Sequence, residues 1–385
     1  EFCDVCILDE PEHLNVAFSD PKPFSSLFSH VVGIMHTNYD AYLKGSVTGI
    51  VIAPLAFVMI NLTTRFHCHK IVKLSDTLQI FAKEKECVVN VHGIRQDFLD
   101  EGKRRALDSI KRKDVAQSQS HSPSDSNGKI YFCGKLLWAK GLDAMIELEN
   151  AFKRITGTYF QLDIVGSGPE EEEIRRAFHG RSSNNSNSST GRLRSLSDDD
   201  DGMMMAKSSS VKDKMDQFIH TMPRSRFEFR KDCIPSNFLG RMDHATMRGD
   251  YKIFVNPSVT EVLCTTTAEA LAMGKFVIIP FHPSNTFFEK FPNCLMYESK
   301  PRFVSQLQYA IDHNPTPLSE EHSFTLTWEA ATHRLVDASI VTQREAKRRE
   351  RVDQTKADSK AAEYLKSGIF ETFRNYVRKP MYEVQ

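Results

Sequence analysis

Two glutamates, Glu261 and Glu269, flank three consecutive threonines in the stretch "SVTEVLCTTTAEALAMGK". Thr266 precedes Glu269 by three positions, a capping-box spacing that predicts a helix beginning among Thr265, Thr266 and Thr267. Free N–H groups and the dipole at a helix start favour an anion. Glu261, in the preceding loop, suits a polyol, and Glu269, one turn into the helix, suits vicinal hydroxyls such as those of a ribose. The stretch predicts a site for an anionic ligand with hydroxyls at both ends.

Cations and glycines follow two other strand-like segments. Lys135 and Lys140 come after "KIYFC", and Gly166 and Gly168 come after "FQLDIV". Ligands of open α/β sheets bind beyond the carboxyl ends of the strands, and glycines let a ligand approach the backbone closely. Each feature alone is explained equally well by a tight turn or a capped helix. Together they favour a sugar–diphosphate–nucleoside, whose diphosphate the lysines and the helix start would neutralise.

Short apolar runs alternate with helical patterns along the chain, which predicts right-handed βαβ units and mostly parallel sheets. The strand-like runs are "DVCILDE", "HVVGIMHTN", "KIVKLSD", "ECVVNVHGI", "KIYFCGKL", "FQLDIVGSG", "RFEFRKDC", "YKIFVNPS" and "FVIIPF". We therefore predict an α/β fold of two doubly wound domains, residues 1–127 and 128–318. A charged helical segment, residues 319–385, follows, with an apolar face at Leu365, Ile369, Phe373 and Tyr376.

Two segments are too polar to contribute to a core. Residues 112–127 are rich in serine, and residues 181–210 are of low complexity with a run of four aspartates. Such composition buries too little apolar surface to offset the entropy of ordering. We predict that both are disordered, the first as a linker and the second as an insertion in the second domain.

Composition narrows the classes of function. Lysine plus arginine and aspartate plus glutamate both total 50, so the net charge of zero provides no strong field for nucleic acid. The eight cysteines are scattered, which favours reduced thiols over a disulfide framework. Cys3, Cys6 and the "HCH" at residues 67–69 lack a second pair at zinc-like spacing, so no metal site is predicted. The opening "EFCDVCILDE" is typical of a piece of a longer protein.

The run "SVTGIVIAPLAFVMINL", residues 46–62, contains no charged residue. Its length is at the lower limit for a membrane span, and Pro54 interrupts it. A helix buried in the protein and a shallow insertion at a membrane surface both explain the run. A true span is disfavoured because α/β units continue on both sides.

Several longer motifs resemble the digalactosyldiacylglycerol synthases, retaining glycosyltransferases of the two-domain GT-B fold. They include "DEPEHL", "HVVGIMHTNY", "GKLLWAKG", "FLGRMDHA", "FVNPSVTEVLCTTTAEALAMGK" and "HPSNTFFEKFPNC", and they are distributed along nearly the whole chain. The resemblance implies roles for individual residues. Glu261 would contact the donor hexose, Glu269 the ribose, Lys135 and Lys140 the diphosphate, and Gly166 and Gly168 the nucleotide. His36 would lie beside the transferred sugar.

The resemblance also implies an activity. Galactose would pass from UDP-galactose to monogalactosyldiacylglycerol with retention at the anomeric carbon, without a metal or other cofactor, at the outer envelope membrane of the plastid. The family's first strands are missing here, which predicts an incomplete N-terminal domain. A related enzyme that uses UDP-glucose or another lipid acceptor, and a non-catalytic membrane scaffold that binds a nucleotide sugar, are the alternatives. Hexose choice is not readable from the sequence; the intact site residues argue against the scaffold.

Overall fold

The computed structural model describes residues 4–14, 24–38, 47–116, 128–180 and 232–349, together with residues 360 and 363. The predicted insertion 181–210, residues 117–127, most of the strand expected at "RFEFRKDC" and the apolar face around Leu365 lie outside these residues. The described chain forms two α/β units, each built on a parallel sheet. The predicted fold class is thus confirmed.

The first unit has a four-stranded parallel sheet in the order β1-β2-β3-β4. Its strands are β1 (Val5–Asp9), β2 (His30–Met35), β3 (Lys70–Lys73) and β4 (Glu86–Val88), with helices α1 (Phe24–Leu27) and α2 (Val47–His67). The two central strands are almost entirely buried, as expected for apolar runs covered on both faces. His36 follows β2 and therefore lies at the carboxyl edge of this sheet.

Helix α2 contains the uncharged run and continues through Pro54. Its inner side is buried, with Met59 only 4% exposed and Ile60 only 8% exposed. Val58, by contrast, is 50% exposed. Among the described helices, none combines the length and the apolar character that crossing a membrane would require. The helix thus packs on the first unit through one side and leaves a narrow apolar edge outside.

The last residue of α2 makes the stability of this unit sensitive to acid. His67 is buried, and its Nδ1 accepts a hydrogen bond from the Phe24 backbone N–H at 3.3 Å. Burial lowers the pKa of His67 from 6.5 to about 4. The unfolded chain therefore binds more protons between these values, so the stability from this group is complete above pH 6.5. It falls as the pH drops towards 4, by about 3 kcal/mol in total.

We expect His67→Asn, which keeps an acceptor for the Phe24 N–H, to flatten this acid dependence. The measurement is urea unfolding of both proteins at several values between pH 7 and pH 4. The difference in unfolding free energy between the variant and the parent should shift in favour of the variant as the pH falls. A pH-independent difference would show that His67 is not the group responsible.

The second unit has a six-stranded parallel sheet in the order β10-β9-β8-β5-β6-β7. The strands are β5 (Lys129–Cys133), β6 (Leu162–Val165), β7 (Ser236–Gly240), β8 (Tyr251–Val255), β9 (Phe276–Pro280) and β10 (Cys294–Tyr297). The helices are α3 (Gln96–Ala116), α4 (Leu142–Thr156), α5 (Glu171–His179), α6 (Thr265–Ala272) and α7 (Lys300–Asp312). Alternate residues of β5 enter different cores, Phe132 on one face and Tyr131 on the other. The sheet is thus doubly wound.

Helix α3 packs against the second unit. Phe98 and Leu99 belong to the same core as Tyr131. Gly102 lies against α6 so closely that a Cβ there would come within 2.0 Å of the carbonyl oxygen of Ala272. The structure therefore places the division between the units ahead of α3, and not at residue 127 as the sequence suggested.

The same helix corrects the extent of the Ser-rich segment. Residues 112–116 were predicted to be part of a disordered linker, but they continue α3 to Ala116. They begin with "RKD", and arginine and lysine are good helix formers. A helix that is already formed by the preceding residues can therefore extend into a segment whose overall composition is polar.

Helices α8 (Glu320–Thr325), α9 (Trp328–Ser339) and α10 (Gln343–Arg349) return the chain to the first unit. Arg334 donates from Nε to the carbonyl oxygen of Asn90 at 2.6 Å. Lys70 of β3 pairs with Glu345 at 3.1 Å. The return segment lies within the predicted helical part 319–385, and it ties the two units together.

Candidate donor and transfer site

The glycines of the candidate site lie where loops from neighbouring strands meet. Strands β8, β5 and β6 are adjacent, and the chain leaves β5 in one direction to β6 and later returns on its other side as β8. This is the point at which ligands bind in open α/β sheets. The N–H of Gly134 donates to Val165 at 3.0 Å, and that of Gly166 donates to Gly240 at 2.8 Å. The loops after β5, β6 and β7 are therefore joined into one rim.

Gly166 and Gly168 are required by this rim. Gly166 has φ 143°, and a Cβ on it would lie 1.8 Å from the carbonyl oxygen of Gly134. A Cβ on Gly168 would lie 2.2 Å from the carbonyl oxygen of Leu136. The contact between loops explains both glycines, and a role in approaching a nucleotide stays a prediction.

The two residues assigned to the diphosphate and the hexose are in contact. Lys140 ends a short 3-10 helix, Trp138–Lys140, and its Nζ lies 2.6 Å from Oε1 of Glu261. Both side chains are about one-fifth exposed, at 22% and 20%. The resemblance implies that these groups contact different parts of a donor. The structure brings them together, so that each fixes the orientation of the other in the cleft, the surface where the two units meet.

Helix α6 begins at the threonines, as predicted, but without the predicted capping box. Its N-cap is Cys264, with no side-chain cap, and Thr265 is its first residue. Glu269 is thus too far along the helix to close a capping box with Thr266. Among the described residues, no hydrogen bond is found for the backbone N–H groups of Thr265 and Thr266. These groups remain available for an anion.

Lys135 is exposed beside the rim after β5. No ion-pair partner for its ammonium group is found in the part of the chain that the structure describes. A free ammonium group at a strand end is suited to phosphate oxygens as a point charge. Lys135 and the start of α6 are therefore the positive groups that the described site offers.

Glu269 is held from behind by a histidine. Its Oε2 lies 2.7 Å from Nδ1 of His244, which is 6% exposed and begins the 3-10 helix His244–Thr246 after β7. The carboxylate itself is 20% exposed, so it is open on its other side.

His36 lies between two acidic residues at the carboxyl end of β1, Asp9, its last residue, and Glu10, which follows it. Its Nε2 is 3.0 Å from Asp9 Oδ1, and its Nδ1 is 3.3 Å from Glu10 Oε1. Thr37 donates its hydroxyl hydrogen bond to the same Glu10 oxygen. Glu10 has φ 50°, the only positive value among the described non-glycine residues. Such a backbone conformation is uncommon outside glycine and is found where a side chain must be aimed.

The two units meet at these groups. Asn38, two residues after His36, donates a hydrogen bond from its side-chain amide to the carbonyl oxygen of Thr260 at 3.4 Å, and Thr260 precedes Glu261.

Burial lowers the pKa of His92, the charge of Glu269 acts in the opposite direction, and His36 adds to the decrease. In the described residues, no group of three or more His, Cys, Asp or Glu side chains is arranged for a metal ion.

The sequence was compared with known proteins. No family model matches it. Digalactosyldiacylglycerol synthase 1 of Arabidopsis thaliana is 36% identical over 337 residues, covering 87% of this chain and 34% of the relative. The chain is homologous to the digalactosyldiacylglycerol synthases. Digalactosyldiacylglycerol synthase 2 of Arabidopsis thaliana is 32% identical over 340 residues, covering 88% of this chain and 58% of the relative. The chain therefore spans between about a third and three-fifths of the length of these curated relatives.

The solved structures that match are distant in sequence. Sucrose-phosphate synthase from Thermosynechococcus elongatus is 14% identical, with a TM-score of 0.47, and the match covers 81% of this chain and 68% of the synthase. The lipopolysaccharide outer core galactosyltransferase WaaB in its apo form is 12% identical, with a TM-score of 0.46, and the match covers 88% of this chain and 75% of WaaB. The sequence resemblance is confirmed by the relatives, and the two parallel sheets agree with the GT-B fold that it implies.

The sequence patterns do not reveal the partners of two site residues. His244 stands in "GRMDHA", within a motif that had been noted only for its family resemblance. Asp9 and Glu10 stand at the end of the first strand-like run. For Asp9 and Glu10, a polar residue at the carboxyl end of a strand-like run was the available signal. His244 had no such signal, because it follows β7 (Ser236–Gly240), a strand that was not among the predicted runs.

Proposed function

We propose that this protein transfers galactose from UDP-galactose to monogalactosyldiacylglycerol, forming digalactosyldiacylglycerol with retention at the anomeric carbon. The proposal draws the activity from the names of the relatives. The observation that carries it is the bond between Asn38 and Thr260, because it brings the loop after His36 against the loop of Glu261. One unit thereby faces the other with the residues that the reaction needs.

In this proposal the second unit binds the donor. Lys135 and the free N–H groups at the start of α6 attract the diphosphate, and Glu269 accepts hydrogen bonds from the ribose. Glu261, fixed by Lys140 at 2.6 Å, accepts from hydroxyls of the hexose. These positive groups take the charge-neutralising role that a metal has in other transferases. We therefore propose that no metal cofactor is required.

The transfer step needs little beyond this arrangement. The acceptor hydroxyl oxygen forms a bond to the anomeric carbon on the face from which the phosphate oxygen leaves. The carbon–oxygen bond to UDP breaks, its electron pair stays with UDP, and the hydroxyl proton passes to the departing phosphate oxygen. Hydrogen-bond donors aimed at that oxygen stabilise its developing charge. His36, held by Asp9 and Glu10, is fixed beside the hexose.

The acceptor is a diacyl lipid in this proposal, so the first unit must reach a membrane surface. Val58 of α2 is 50% exposed, and Ile80 is 61% exposed. They are neighbours, because the Asn61 amide, three residues after Val58, donates to the carbonyl oxygen of Ile80 at 3.2 Å. We propose that this apolar edge enters the headgroup boundary of a plastid membrane, and that the membrane is the outer envelope. The relatives' names, which say chloroplastic, support the plastid.

Activity of the full-length protein tests the function. Incubation with radiolabelled UDP-galactose and monogalactosyldiacylglycerol should give labelled digalactosyldiacylglycerol, and UDP-glucose should be a poor donor. His36→Ala should lower turnover about 100-fold or more, the usual cost of losing one aimed polar group at a reacting centre. Its melting temperature should change little, because the side chain is 37% exposed.

The control for this variant is His313→Ala, an exposed histidine beyond α7 that stacks on Tyr309 at 4.1 Å. It should retain full turnover. A His36→Ala protein that melts much earlier yet keeps normal turnover would make His36 a structural residue. Preference for UDP-glucose would favour the related lipid glucosyltransferase, and absence of any labelled lipid would favour a binding scaffold.

Membrane attachment is tested by flotation with liposomes that contain galactolipid. Val58→Glu and Ile80→Glu should each reduce flotation while the melting temperature is retained, because placing a charge at the boundary opposes apolar burial. Met59, which lies within the same run, is unsuited to this test because it is buried. Val336→Glu, at a valine that is 57% exposed on α9, is the matched control. Unchanged flotation of all three variants would place the membrane contact elsewhere.

A further inference from the structure

Behind Glu269 lies a buried chain of hydrogen bonds that the proposed reaction does not use. Tyr131 on β5 places its hydroxyl 2.8 Å from Nε2 of His244. His244 in turn places Nδ1 2.7 Å from Oε2 of Glu269. Tyr131 has no exposed surface, and His244 is 6% exposed. Three side chains from three different elements are thus connected from the core of the second unit to the cleft.

The direction of these bonds is determined by their chemistry. Burial lowers the pKa of His244, an effect that Glu269 opposes, and burial raises the pKa of Tyr131. The imidazole is therefore neutral and the phenol keeps its proton. Since a carboxylate can only accept hydrogen bonds, Nδ1 carries the histidine proton and donates a hydrogen bond to Glu269. Nε2 is then an acceptor and receives the hydrogen bond of the Tyr131 hydroxyl.

The histidine ring has little freedom to move. It packs against Phe98 at 5.7 Å and Phe254 at 5.8 Å between ring centroids. The preceding residue, Asp243, caps the 3-10 helix by accepting from the Ala245 N–H at 3.0 Å. Its carboxylate also lies 2.7 Å from Arg95. The Nδ1–H is thus held at one position and one angle.

The Tyr131 ring is supported in the same way from below. The ammonium nitrogen of Lys275 lies 4.5 Å from the centroid of the Tyr131 ring. Lys275 is completely buried and donates to the carbonyl oxygen of Met247. Burial lowers the pKa of Lys275 far below its usual value. An amine in this position fills the space under the ring and ties it to the segment that follows His244.

We propose that His244 is a positioning residue for the donor: by donating from Nδ1 to one oxygen of Glu269, it fixes the carboxylate so that its remaining lone pairs meet the vicinal hydroxyls of the ribose. A surface glutamate would have to lose side-chain freedom on binding. Here that freedom is already lost, because the carboxylate is anchored to a rigid core. This inference rests on the proposed function, and specifically on Glu269 as the ribose ligand.

Two amide variants separate positioning from simple packing. The side-chain nitrogen of asparagine reaches the place of Nδ1, and that of glutamine reaches the place of Nε2. Both lose the ring contacts. We expect His244→Gln to weaken UDP binding about tenfold or more, within the range for residues of one hydrogen-bond network. His244→Asn should restore UDP affinity to within about threefold of the parent, because a donor again faces Glu269. Calorimetric titration of the full-length protein with UDP measures both.

The decisive control repeats the pair in a Glu269→Ala background. If His244 acts through Glu269, exchanging Gln for Asn at position 244 should there change UDP affinity by less than about twofold. If His244→Gln and His244→Asn weaken UDP binding equally and both lower the melting temperature, the inference is overturned and His244 has only a packing role. A Gln–Asn difference that persists without Glu269 would also overturn it. If Glu269→Ala alone leaves UDP affinity unchanged, the proposed donor site fails instead.

Discussion

Replacement of Glu269 by alanine should weaken UDP binding about 30- to 4,000-fold, which corresponds to the roughly 2–5 kcal/mol lost when one partner of a buried charged hydrogen bond is removed. The carboxylate is 20% exposed and has His244 behind it at 2.7 Å, so water cannot easily replace it on that side. Titration calorimetry with UDP is the measurement. Glu269→Gln should lie between the two proteins, because its amide oxygen still accepts from His244.

Glu261→Ala is the matched comparison, since it removes the other member of the spaced pair. It should impair transfer of the sugar more than binding of UDP, because Glu261 is assigned to the hexose. It also removes the carboxylate that lies 2.6 Å from Lys140. Circular dichroism checks that all variants are folded. A folded Glu269→Ala protein with parental UDP affinity would contradict the assignment of the ribose.

Replacement of Gly166 by alanine should have the largest effect on stability of any single methyl addition at the rim. The new Cβ would lie 1.8 Å from the carbonyl oxygen of Gly134, and φ 143° is itself unfavourable for alanine. Strained backbone alone costs about 1–3 kcal/mol. The loop must also move, which breaks the bond from Gly166 to Gly240. We expect a loss of about 3 kcal/mol or more, measured by urea unfolding, together with loss of UDP binding.

Gly157→Ala provides the control for this variant. Gly157 also has a positive φ, 89°, but nothing lies within 4 Å of a Cβ placed there. It therefore measures the backbone cost without the clash, about 1–2 kcal/mol. Gly157 follows α4 and is not part of the rim, so UDP affinity should be retained. Equal destabilisation by the two alanines would show that the loops after β5 and β6 can separate without penalty.

The strands and their carboxyl ends were predictable because their signals are local. Runs such as "KIYFC" and "YKIFV" became β5 and β8. The rule that ligands bind at strand ends then placed Lys135 and Gly166 at one edge of a sheet. What this rule cannot supply is which side chains face each other across that edge.

Contacts between distant residues account for what was missed. Glu269 has the spacing of a capping box with Thr266, but α6 begins at Thr265 with Cys264 as its N-cap, which puts Glu269 too far along the helix to close the box. Its carboxylate instead lies 2.7 Å from Nδ1 of His244, which is 25 residues earlier in the chain.

The position of α3 was missed for a similar reason. Its apolar residues, such as Phe98 and Leu99, identify a helix with one buried side, but the pattern does not say which sheet that side covers. The Ser-rich segment after it suggested a domain boundary. The packing of Gly102 on Ala272 decides otherwise, since so close an approach of two helices commits α3 to the second unit.

Within the part of the chain that the structure describes, two connections between the units run side by side. Ile94 donates its N–H to the carbonyl oxygen of Leu326 at 3.0 Å and forms a parallel bridge with Thr327. The hydrogen bond and the bridge couple the two connections, so that a displacement of one is resisted by the other.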